Sequence, residues 1–511
     1  MARHQRGSYT EGIGFEAIAF VLVTIITLGS SVAIARLYGV DVLGEYALAF
    51  APYYALNNLS SVREQAAFAR RIATMEPRDP LVTGLWVAMF GFSTALTVGM
   101  AVVVLVVTYL VYTGPMGRPE LFPLAVIPVV MGVVVFNPSW NLDRVFTTFR
   151  AGRILVRMRI VAALTTAAFM VTAGVVWGTT LSLVIAETVS WIPLLIWRAI
   201  AVRHYMRPIV PWSVLREGRE TLPEIVSFGL RLTPGTLAEA SLNQAGTWII
   251  GLLAPLGAVG SYSRAWQLVR RVMELRARVA EMLFPTLIER RDAGDMHGAD
   301  RALADTMRYV LTGLTMIAAA GGGAAVGVME IFGEGFVEAS SALVFLLLVP
   351  PLAISSFVQF QSMWALGRPT ASSVISLVRA AIGLPLMAIL TWKLGIVGCA
   401  MGQAIAYAAG LIVITVHTNR EMSQPLRQLF TIRQAVAIPV AYVGGFVVSR
   451  VIDEAMPPII GLPLALAAGA AIYLALIGVV GGVNERDRDR ARRLRGKLSR
   501  GGASAPAQAQ A

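Results

Sequence analysis

The chain has 511 residues, of which 56% are hydrophobic and 14% charged, and its formal net charge is +13. This composition, with a mean hydropathy of +0.67, excludes an ordinary soluble domain and indicates a protein that crosses a membrane many times. The charge comes almost entirely from arginine, an excess that membrane proteins place in cytoplasmic loops, so nucleic acid is not expected as a partner. The single cysteine, Cys399, and four scattered histidines suggest no metal site, and we expect no cofactor.

Fourteen apolar stretches are long enough to span a bilayer as helices. They predict an all-α polytopic membrane protein with about fourteen transmembrane helices. In chain order these spans are residues 14–36, 42–62, 81–112, 121–143, 155–177, 179–200, 224–252, 256–288, 308–332, 337–366, 370–392, 395–417, 434–452 and 459–482. The second and eighth spans are the least apolar, so a simple hydropathy window would miss them.

The distribution of basic residues supports this map. If the N-terminus is cytoplasmic and the spans alternate, inside segments hold 32 of the 43 Arg and Lys residues, outside segments hold four, and seven lie within spans. Positively charged loops stay in the cytoplasm, so this bias predicts that both termini are cytoplasmic. We also expect the basic part of the C-terminal tail to contact anionic lipid headgroups.

Glycine-containing segments recur at a nearly constant spacing. At offsets of 215 to 217 residues, Gly44 pairs with Gly260, Gly152 with Gly367, and Gly178 with Gly395. Two six-helix repeats would insert with the same orientation and be related by a pseudo-two-fold axis along the membrane normal. The predicted division is a cytoplasmic N-terminus at 1–13, an N-lobe at 14–200, a basic cytoplasmic linker at 201–223, a C-lobe at 224–417, two further helices within 418–482, and a basic, then disordered, tail at 483–511. Independent recurrence of glycine at helix ends is the alternative.

The eighth span carries a row of arginines. Arg264, Arg271 and Arg278 are spaced seven residues apart, so they share one helical face, and Arg270 lies beside them. One arginine facing lipid costs about 2.5–3.5 kcal/mol at the bilayer centre. We therefore expect this face to line a water-filled interior and to bind an anionic passenger. A basic amphipathic helix on the membrane surface is the alternative, but removing this crossing would invert every later loop.

The second span, which matches the eighth in the proposed repeat, ends in a polar run. Asn57 and Asn58 lie there, and Arg63 and Arg70 follow. These four residues are further candidates for substrate binding, with the amides facing sugar hydroxyls. Solvation of a helix end is the alternative.

Two acidic residues lie deep within predicted spans. Glu187 and Glu239 are candidates for coupling transport to protons or sodium, because a carboxyl group inside a membrane protein can carry a proton. Pairing with a nearby arginine is the alternative.

Two proline-containing pairs interrupt predicted spans. Pro234 and Gly235 interrupt span seven, and Pro350 and Pro351 interrupt span ten. Proline removes a helix hydrogen bond, so kinks are expected at both places. These kinks are candidate hinges, with a static bend as the alternative.

Short motifs distributed over residues 10–417 resemble those of one family. They are Ala35-Arg36-Leu37-Tyr38-Gly39, Gly44-Glu45-Tyr46, Phe228-Gly229-Leu230, Gly260-Ser261-Tyr262, Phe284-Pro285, Phe332-Gly333-Glu334-Gly335-Phe336, Leu366-Gly367-Arg368-Pro369 and Gly395-Ile396-Val397-Gly398. On these residues the chain resembles a Wzx-type polysaccharide flippase of the multidrug/oligosaccharidyl-lipid/polysaccharide exporter superfamily. The resemblance implies two lobes that alternate between inward-open and outward-open states in a bacterial cytoplasmic membrane and export a glycan linked to undecaprenyl diphosphate. Related sequences often carry an Asp near the end of span seven, where this chain has Gly246-Thr247, so a site built on that Asp is not carried over.

The expected function is therefore that of a flippase and not of an enzyme. Its expected partners are a lipid-linked glycan, anionic membrane lipids and other polysaccharide-assembly proteins. The alternatives are a drug/cation antiporter of the same superfamily, a flippase for the peptidoglycan precursor, and a non-transporting scaffold. A membrane glycosyltransferase or polymerase would need a substantial outer loop with catalytic side chains, whereas the predicted outer loops are short. The Walker A pattern G-x-x-x-x-G-K-[ST] is missing from the sequence, so the chain is not expected to be an ATPase.

Overall fold

The computed structural model describes residues 9–60, 68, 72, 75–149, 151–206, 212–365, 369–422 and 432–480, and this part of the chain contains helices and no strand. The helices of the first half are α1 (Tyr9–Leu59), α2 (Pro80–Thr113), α3 (Leu121–Met131), α4 (Asn137–Thr148), α5 (Gly152–Val176) and α6 (Thr180–Met206), with a π-helical turn (Gly132–Phe136) between α3 and α4. Those of the second half are α7 (Trp212–Leu253), α8 (Leu256–Met273), α9 (Leu275–Asp292), α10 (Met296–Gly323), α11 (Ala325–Glu330), α12 (Ser340–Leu346), α13 (Val349–Ala365) and α14 (Pro369–Glu421), with a 3₁₀ helix (Glu334–Ala339) before α12. Two more helices follow, α15 (Ile432–Ala455) and α16 (Pro458–Val480).

The longest helices, α1 and α14, each contain two of the predicted membrane crossings. Each is interrupted at one glycine with a positive φ, Gly39 (φ 78°) in α1 and Gly395 (φ 59°) in α14. Residues with a side chain rarely adopt this backbone conformation, so glycine permits the chain to turn there. Among the described residues, nine helical stretches are long and apolar enough to cross a membrane, and α1 and α14 count once each among them. With α7, α8–α9 and α10–α11, whose faces carry charge, the fold provides the fourteen crossings that the sequence predicts.

The two lobes meet at a pair of repeat-related glycines. A Cβ atom on Gly44 of α1 would lie 2.0 Å from the carbonyl oxygen of Leu256, and one on Gly260 of α8 would lie 1.9 Å from that of Val40. Both helices therefore need glycine at their crossing, and each glycine faces the other helix in the same way. A second repeat-related pair, Gly178 and Gly395, has nearly the same φ, 63° and 59°. For these two pairs the recurrence in the sequence thus corresponds to equivalent positions in the two lobes, whereas Gly367, the partner of Gly152, lies outside the described residues.

The stretch assigned to the linker is largely helical. Helix α6 continues to Met206 and α7 begins at Trp212, within the predicted 201–223 segment. The first turns of α7 pack closely on α2, where a Cβ on Gly218 would lie 2.5 Å from the carbonyl oxygen of Gly84. The second part of the predicted linker, residues 212–223, thus belongs to a helix that contacts the N-lobe, and residues 207–211 lie outside the described residues.

The largest apolar cluster crosses the lobe interface. Its fully buried members include Leu43 and Leu48 of α1, Ile250 of α7, Val259 of α8 and Ala339 just before α12. Burial of these side chains stabilises the two lobes against each other at the level of the Gly44–Gly260 crossing.

Candidate functional site

Arginine side chains join the two lobes at one end of the molecule. The Nε atom of Arg36 donates to the carbonyl oxygen of Ile331 at 2.9 Å, and Arg118 donates to that of Ala254 at 3.1 Å. In both contacts an N-lobe arginine binds a C-lobe main-chain carbonyl. Together with the glycine crossing and the apolar cluster, these bonds close the lobe interface at this end.

Towards the opposite end, the lobes separate around a cavity of about 610 Å³. It is lined by Phe20, Val23, Tyr54, Asn57, Asn58, Arg159, Ala240, Asn243, Gln244, Trp266, Arg270, Arg271, Met273, Glu274, Arg276 and Arg278. Five of these side chains are arginines and one is a glutamate. Such an excess of positive charge between low-dielectric walls favours an anion.

The end of α8 and the start of α9 supply most of this charge. Helix α8 ends at Met273 and α9 begins at Leu275, so Glu274 lies at the break within the single predicted span. Arg271 forms an ion pair with Glu274, with a distance of 2.9 Å between Nη1 and Oε1. The guanidinium of Arg270 lies over the ring of Tyr54, 5.5 Å from its centre, and so contacts the N-lobe across the cavity.

Most of the substrate-binding candidates that the structure describes lie together. Arg270, Arg271 and Arg278 line the cavity with Asn57 and Asn58, as expected if these residues face one interior space. Of the three remaining cationic candidates, Arg63 and Arg70 lie outside the described residues, and Arg264 does not line the cavity. Binding of a substrate by the cavity residues stays a prediction.

Arg264 is separated from the cavity although it shares the helical face of Arg271. It is 5% exposed, and its Nη1 atom donates to Ser31 Oγ at 2.8 Å and to Gln267 Oε1 at 2.7 Å. At this level α1 covers the arginine face, because Ser31 lies directly against it. Arg264 therefore connects the two lobes between the cavity and the closed end. Helix periodicity alone does not predict its contact with Ser31.

Several cavity residues were not identified from the sequence. Arg159 lies near the start of α5 and Arg276 lies off the helical face that Arg271 and Arg278 share, so the spacing of the arginine row does not select either residue. Tyr54 lies one turn before the Asn57–Asn58 pair, and Asn243 and Gln244 form a similar pair on α7. The recurrence of polar pairs on α1 and α7 is a sequence signal that could identify Tyr54, Asn243 and Gln244.

Glu239 is enclosed by arginines of two other helices. Its carboxylate forms ion pairs with Arg276 of α9 and, at 3.2 Å, with Arg379 of α14. The guanidinium of Arg379 also lies 4.5 Å from the ring centre of Tyr407, whose hydroxyl donates to Asn243 Oδ1 at 2.8 Å. These contacts match the alternative of pairing with arginine. They leave a coupling role for Glu239 as a prediction, and they place Arg379 in the lobe interior at 2% exposure.

Glu187 of α6 is in a different environment. Its Oε2 atom is buried, and no hydrogen-bond partner is found for that atom in the described part of the chain. The positive charges of Arg264 and Arg270 act on this carboxylate. Glu239 is held by two arginines, whereas no partner is found for Oε2 of Glu187 among the described residues. Glu187 is therefore the better of the two candidates for ion coupling, and that role stays a prediction.

The two candidate hinges have different local structures. Helix α7 continues through Pro234 and Gly235, and a Cβ on Gly235 would lie 2.6 Å from the Cα atom of Ser373. Gly235 thus permits close packing of α7 on α14. Pro350 and Pro351 lie in the first turn of α13, where proline is well tolerated, directly after the break that follows α12. Hinge motion at either place stays a prediction.

Solved structures with the same fold are membrane transporters. The lipid II flippase MurJ in an inward closed conformation matches with a TM-score of 0.67 at 13% identity, over 91% of this chain and 98% of that one. An inward-facing multidrug resistance MATE family transporter of the MOP superfamily matches with a TM-score of 0.59 at 15% identity, over 82% and 98%. A MOP superfamily transporter from Pyrococcus furiosus, for which a reverse polarity of the binding pocket suggests a different function, matches with a TM-score of 0.51 at 15% identity, over 82% and 93%.

These matches define the class: the chain has the two-lobed, all-helical fold of MOP superfamily transporters. The model of one family, described as polysaccharide biosynthesis protein, matches residues 10–289, which is more than half of the chain. The chain belongs to this polysaccharide biosynthesis protein family. Family and fold together confirm the resemblance to Wzx-type flippases that the motifs indicated. No curated protein matches the sequence.

Proposed function

We propose that the protein is a flippase that moves an oligosaccharide linked to undecaprenyl diphosphate across the bacterial cytoplasmic membrane. The observation that carries this proposal is the cavity between the lobes, with five arginines and one glutamate on its wall and a closed lobe interface at its far end. The family and the fold support the same assignment.

The arginines suit a diphosphate. A guanidinium group offers planar, paired N–H donors that match phosphate oxygens, and it stays charged at all physiological pH values. Arg271 is at present paired with Glu274, so an entering diphosphate would compete with that carboxylate for the same guanidinium. Arg270 and Arg278 lie on the same wall and would contribute further donors.

Neutral polar groups of α1 and α7 suit a sugar. Tyr54, Asn57 and Asn58 of α1 face the arginines across the cavity, and Asn243 and Gln244 of α7 add two more amides. Hydroxyl and amide groups can both donate and accept, as sugar hydroxyls require. The cavity thus has neutral polar groups from α1 and α7 for the glycan, and arginines from α5, α8 and α9 for the diphosphate.

Release on the other side of the membrane requires the lobes to open at the closed end. At the closed end, the described residues of the two lobes are joined by two polar bonds, which Arg36 and Arg118 donate. Both acceptors are main-chain carbonyls. A rocking motion about the Gly44–Gly260 crossing would break these two bonds and close the cavity. With the topology expected from the positive-inside rule, the cavity of this structure opens to the cytoplasm.

Two other transport functions remain as outcomes of the test. A peptidoglycan-precursor flippase would use the same diphosphate chemistry, and MurJ is named as a lipid II flippase. A cation antiporter would need negative charge in the cavity, whereas this wall carries mainly arginine. A non-transporting scaffold would bind none of these ligands.

The experiment is a comparison of equilibrium binding by the purified full chain. We would measure an undecaprenyl diphosphate-linked oligosaccharide, lipid II, undecaprenyl phosphate and a cationic drug, for wild type, the Arg271→Gln/Arg278→Gln double variant and Arg450→Gln. Charge-assisted hydrogen bonds contribute about 1.5–3 kcal/mol each, so the double variant should bind the diphosphate lipids about 100-fold more weakly. Arg450 is a matched control, because it is 39% exposed and paired with Glu454, and it lies outside the cavity.

The proposal expects wild type and Arg450→Gln to prefer diphosphate lipids over the monophosphate lipid and the drug. Preference for lipid II over the oligosaccharide lipid would reassign the passenger to the peptidoglycan precursor. Equal binding of all four ligands, or unchanged binding by the double variant, would overturn the proposal.

A further inference from the structure

A continuous row of aromatic side chains runs through the N-lobe from the arginine-lined cavity. The ring centre of Tyr54, which lines the cavity, lies 5.4 Å from that of Tyr53, and Tyr53 lies 4.7 Å from Phe136. Phe136 contacts Trp191 edge to face at 5.2 Å, and Trp191 lies 5.8 Å from Trp140, so these two form a tryptophan pair. Phe136 is 2% exposed, whereas Trp140 is 40% exposed. The row is thus core in its middle and presents an open aromatic surface at its end.

The tryptophan pair faces the interior of the protein. Trp191 shares one face of α6 with Glu187 and Arg198, because these residues are spaced four and seven apart. The charge of Arg270, on the cavity wall, acts on Glu187. The charge of Arg159, on the same wall, acts on Arg198. This face of α6 is therefore directed at the cavity region and not at the surrounding lipid.

The backbone before Trp140 departs from a regular α-helix. The π-helical turn Gly132–Phe136 separates α3 from α4, and Trp140 follows in the first turn of α4. Such a turn inserts an extra residue into a helix, and it occurs frequently at functional sites. The turn is a second feature, independent of the side chains, that marks the tryptophan pair.

Polar groups flank the tryptophan pair. The guanidinium of Arg198 lies over Trp191, 5.4 Å from the ring centre, and donates to Ser139 Oγ. Its Nε atom lies 3.7 Å from Asp143 Oδ1. For this carboxylate oxygen no hydrogen-bond partner is found within the described part of the chain. Buried polar atoms usually have a hydrogen bond, so Asp143 has the capacity to accept one from a ligand hydroxyl.

This combination fits a sugar ring. One face of a pyranose consists of C–H groups, which pack on the electron-rich face of an aromatic ring, and its rim consists of hydroxyl groups. An aromatic cation would also stack on tryptophan, but Arg198 already lies over Trp191 and its charge would repel a second cation. A hydrocarbon chain would leave the Asp143 oxygen without a hydrogen bond.

We propose that the tryptophan pair is a sugar-binding subsite, on which a pyranose of the lipid-linked glycan packs while the diphosphate lies at the arginines of α8 and α9. The inference rests on the proposed function and adds a sugar contact beyond Tyr54, Asn57 and Asn58 of the cavity wall. Packing on a C–H face requires a sugar but few particular hydroxyl groups. The subsite therefore selects the lipid that carries a glycan over the empty diphosphate lipid.

The test compares one lipid with and without its sugar. The ligands are undecaprenyl diphosphate and undecaprenyl diphosphate linked to a galactose–N-acetylglucosamine disaccharide, measured by equilibrium binding to the full chain in phosphatidylcholine nanodiscs. Trp140→Leu removes the exposed ring, and Trp140→Phe keeps a ring at the same position. Trp177→Leu is the matched control, because it makes the same change at a 67% exposed tryptophan outside the aromatic row.

Wild type, Trp140→Phe and Trp177→Leu should bind the disaccharide lipid about tenfold more tightly than the bare lipid. Trp140→Leu should reduce this preference to about twofold while it binds the bare lipid as wild type does, which also shows that the variant is folded. If wild type has no preference, or if Trp140→Leu keeps it or weakens both lipids equally, the tryptophan pair is not a sugar-binding subsite. If wild type binds neither lipid, the proposed function itself fails, so the two failures are distinguishable.

Discussion

The second half of α1 and the α8–α9 segment occupy equivalent places in the two lobes but differ in chemistry. At one end Gly44 and Gly260 pack against each other. Ten residues further along each helix, Tyr54 and Arg270 face each other, with the guanidinium over the aromatic ring, and they keep the same offset of 216 residues. Equivalent residues of the two lobes therefore meet at two places across the pseudo-two-fold axis. At the first place both residues are glycine, and at the second they are a tyrosine and an arginine.

This difference separates what the fold requires from what the cavity does. The glycine pair is the same on both sides because two helix backbones must approach closely there. At the cavity, the C-lobe helix presents arginines whereas the N-lobe helix presents Tyr54, Asn57 and Asn58. A symmetric scaffold thus has an asymmetric lining, which suits a ligand with an anionic half and a neutral polar half.

The largest effect is expected from the shared part of this comparison. In Gly260→Ala the new Cβ would lie 1.9 Å from the carbonyl oxygen of Val40, which is main chain and cannot rotate away. The helices must separate, and such overpacking costs about 1–3 kcal/mol. Thermal unfolding of the purified protein should show this loss, and a cysteine introduced near Arg36 should become more reactive as the closed end loosens.

The control for this variant is Gly99→Ala. It makes the same chemical change in a helix, but its Cβ would meet no atom within 4 Å, so stability should stay the same or rise slightly. If Gly260→Ala were as stable as Gly99→Ala, the close crossing of the two lobes would not contribute to the fold.

A smaller effect is expected where the two helices differ. Tyr54→Leu removes the ring below Arg270, a cation–π contact of about 0.5–1 kcal/mol, and should weaken binding of the diphosphate lipid about two- to fivefold. Tyr54→Phe keeps a ring and should bind nearly as wild type does. A loss in Tyr54→Leu as large as in the Arg271→Gln/Arg278→Gln variant would mean that Tyr54, and not the arginines, dominates the site.

The sequence was informative about elements and about residues that act along one helix. Hydropathy and basic loops located the crossings, including the weakly apolar eighth span, and the repeat-related Gly44 and Gly260 proved to touch. Arg270, Arg271 and Arg278 were placed on the cavity wall because helix spacing and the cost of charge in lipid both required an interior face. These inferences need only local geometry and the solvent.

Contacts between distant segments were not predictable in the same way. Helix spacing places Arg264 with Arg271, but Ser31 of α1 covers it, and that depends on how the lobes pack. The pairing of Glu239 with Arg276 and Arg379 joins three helices that are far apart in the chain. A single sequence gives the types of these residues and not their partners.

The most direct test of the central claim is translocation by the full chain in proteoliposomes. An undecaprenyl diphosphate-linked oligosaccharide would be supplied on the side to which the cavity opens, and its glycan detected on the other side with a lectin. If the arginine-lined cavity carries the passenger, wild type and Arg450→Gln should expose the glycan and the Arg271→Gln/Arg278→Gln variant should not, although it inserts equally well. Translocation by the double variant at the wild-type rate would contradict the account.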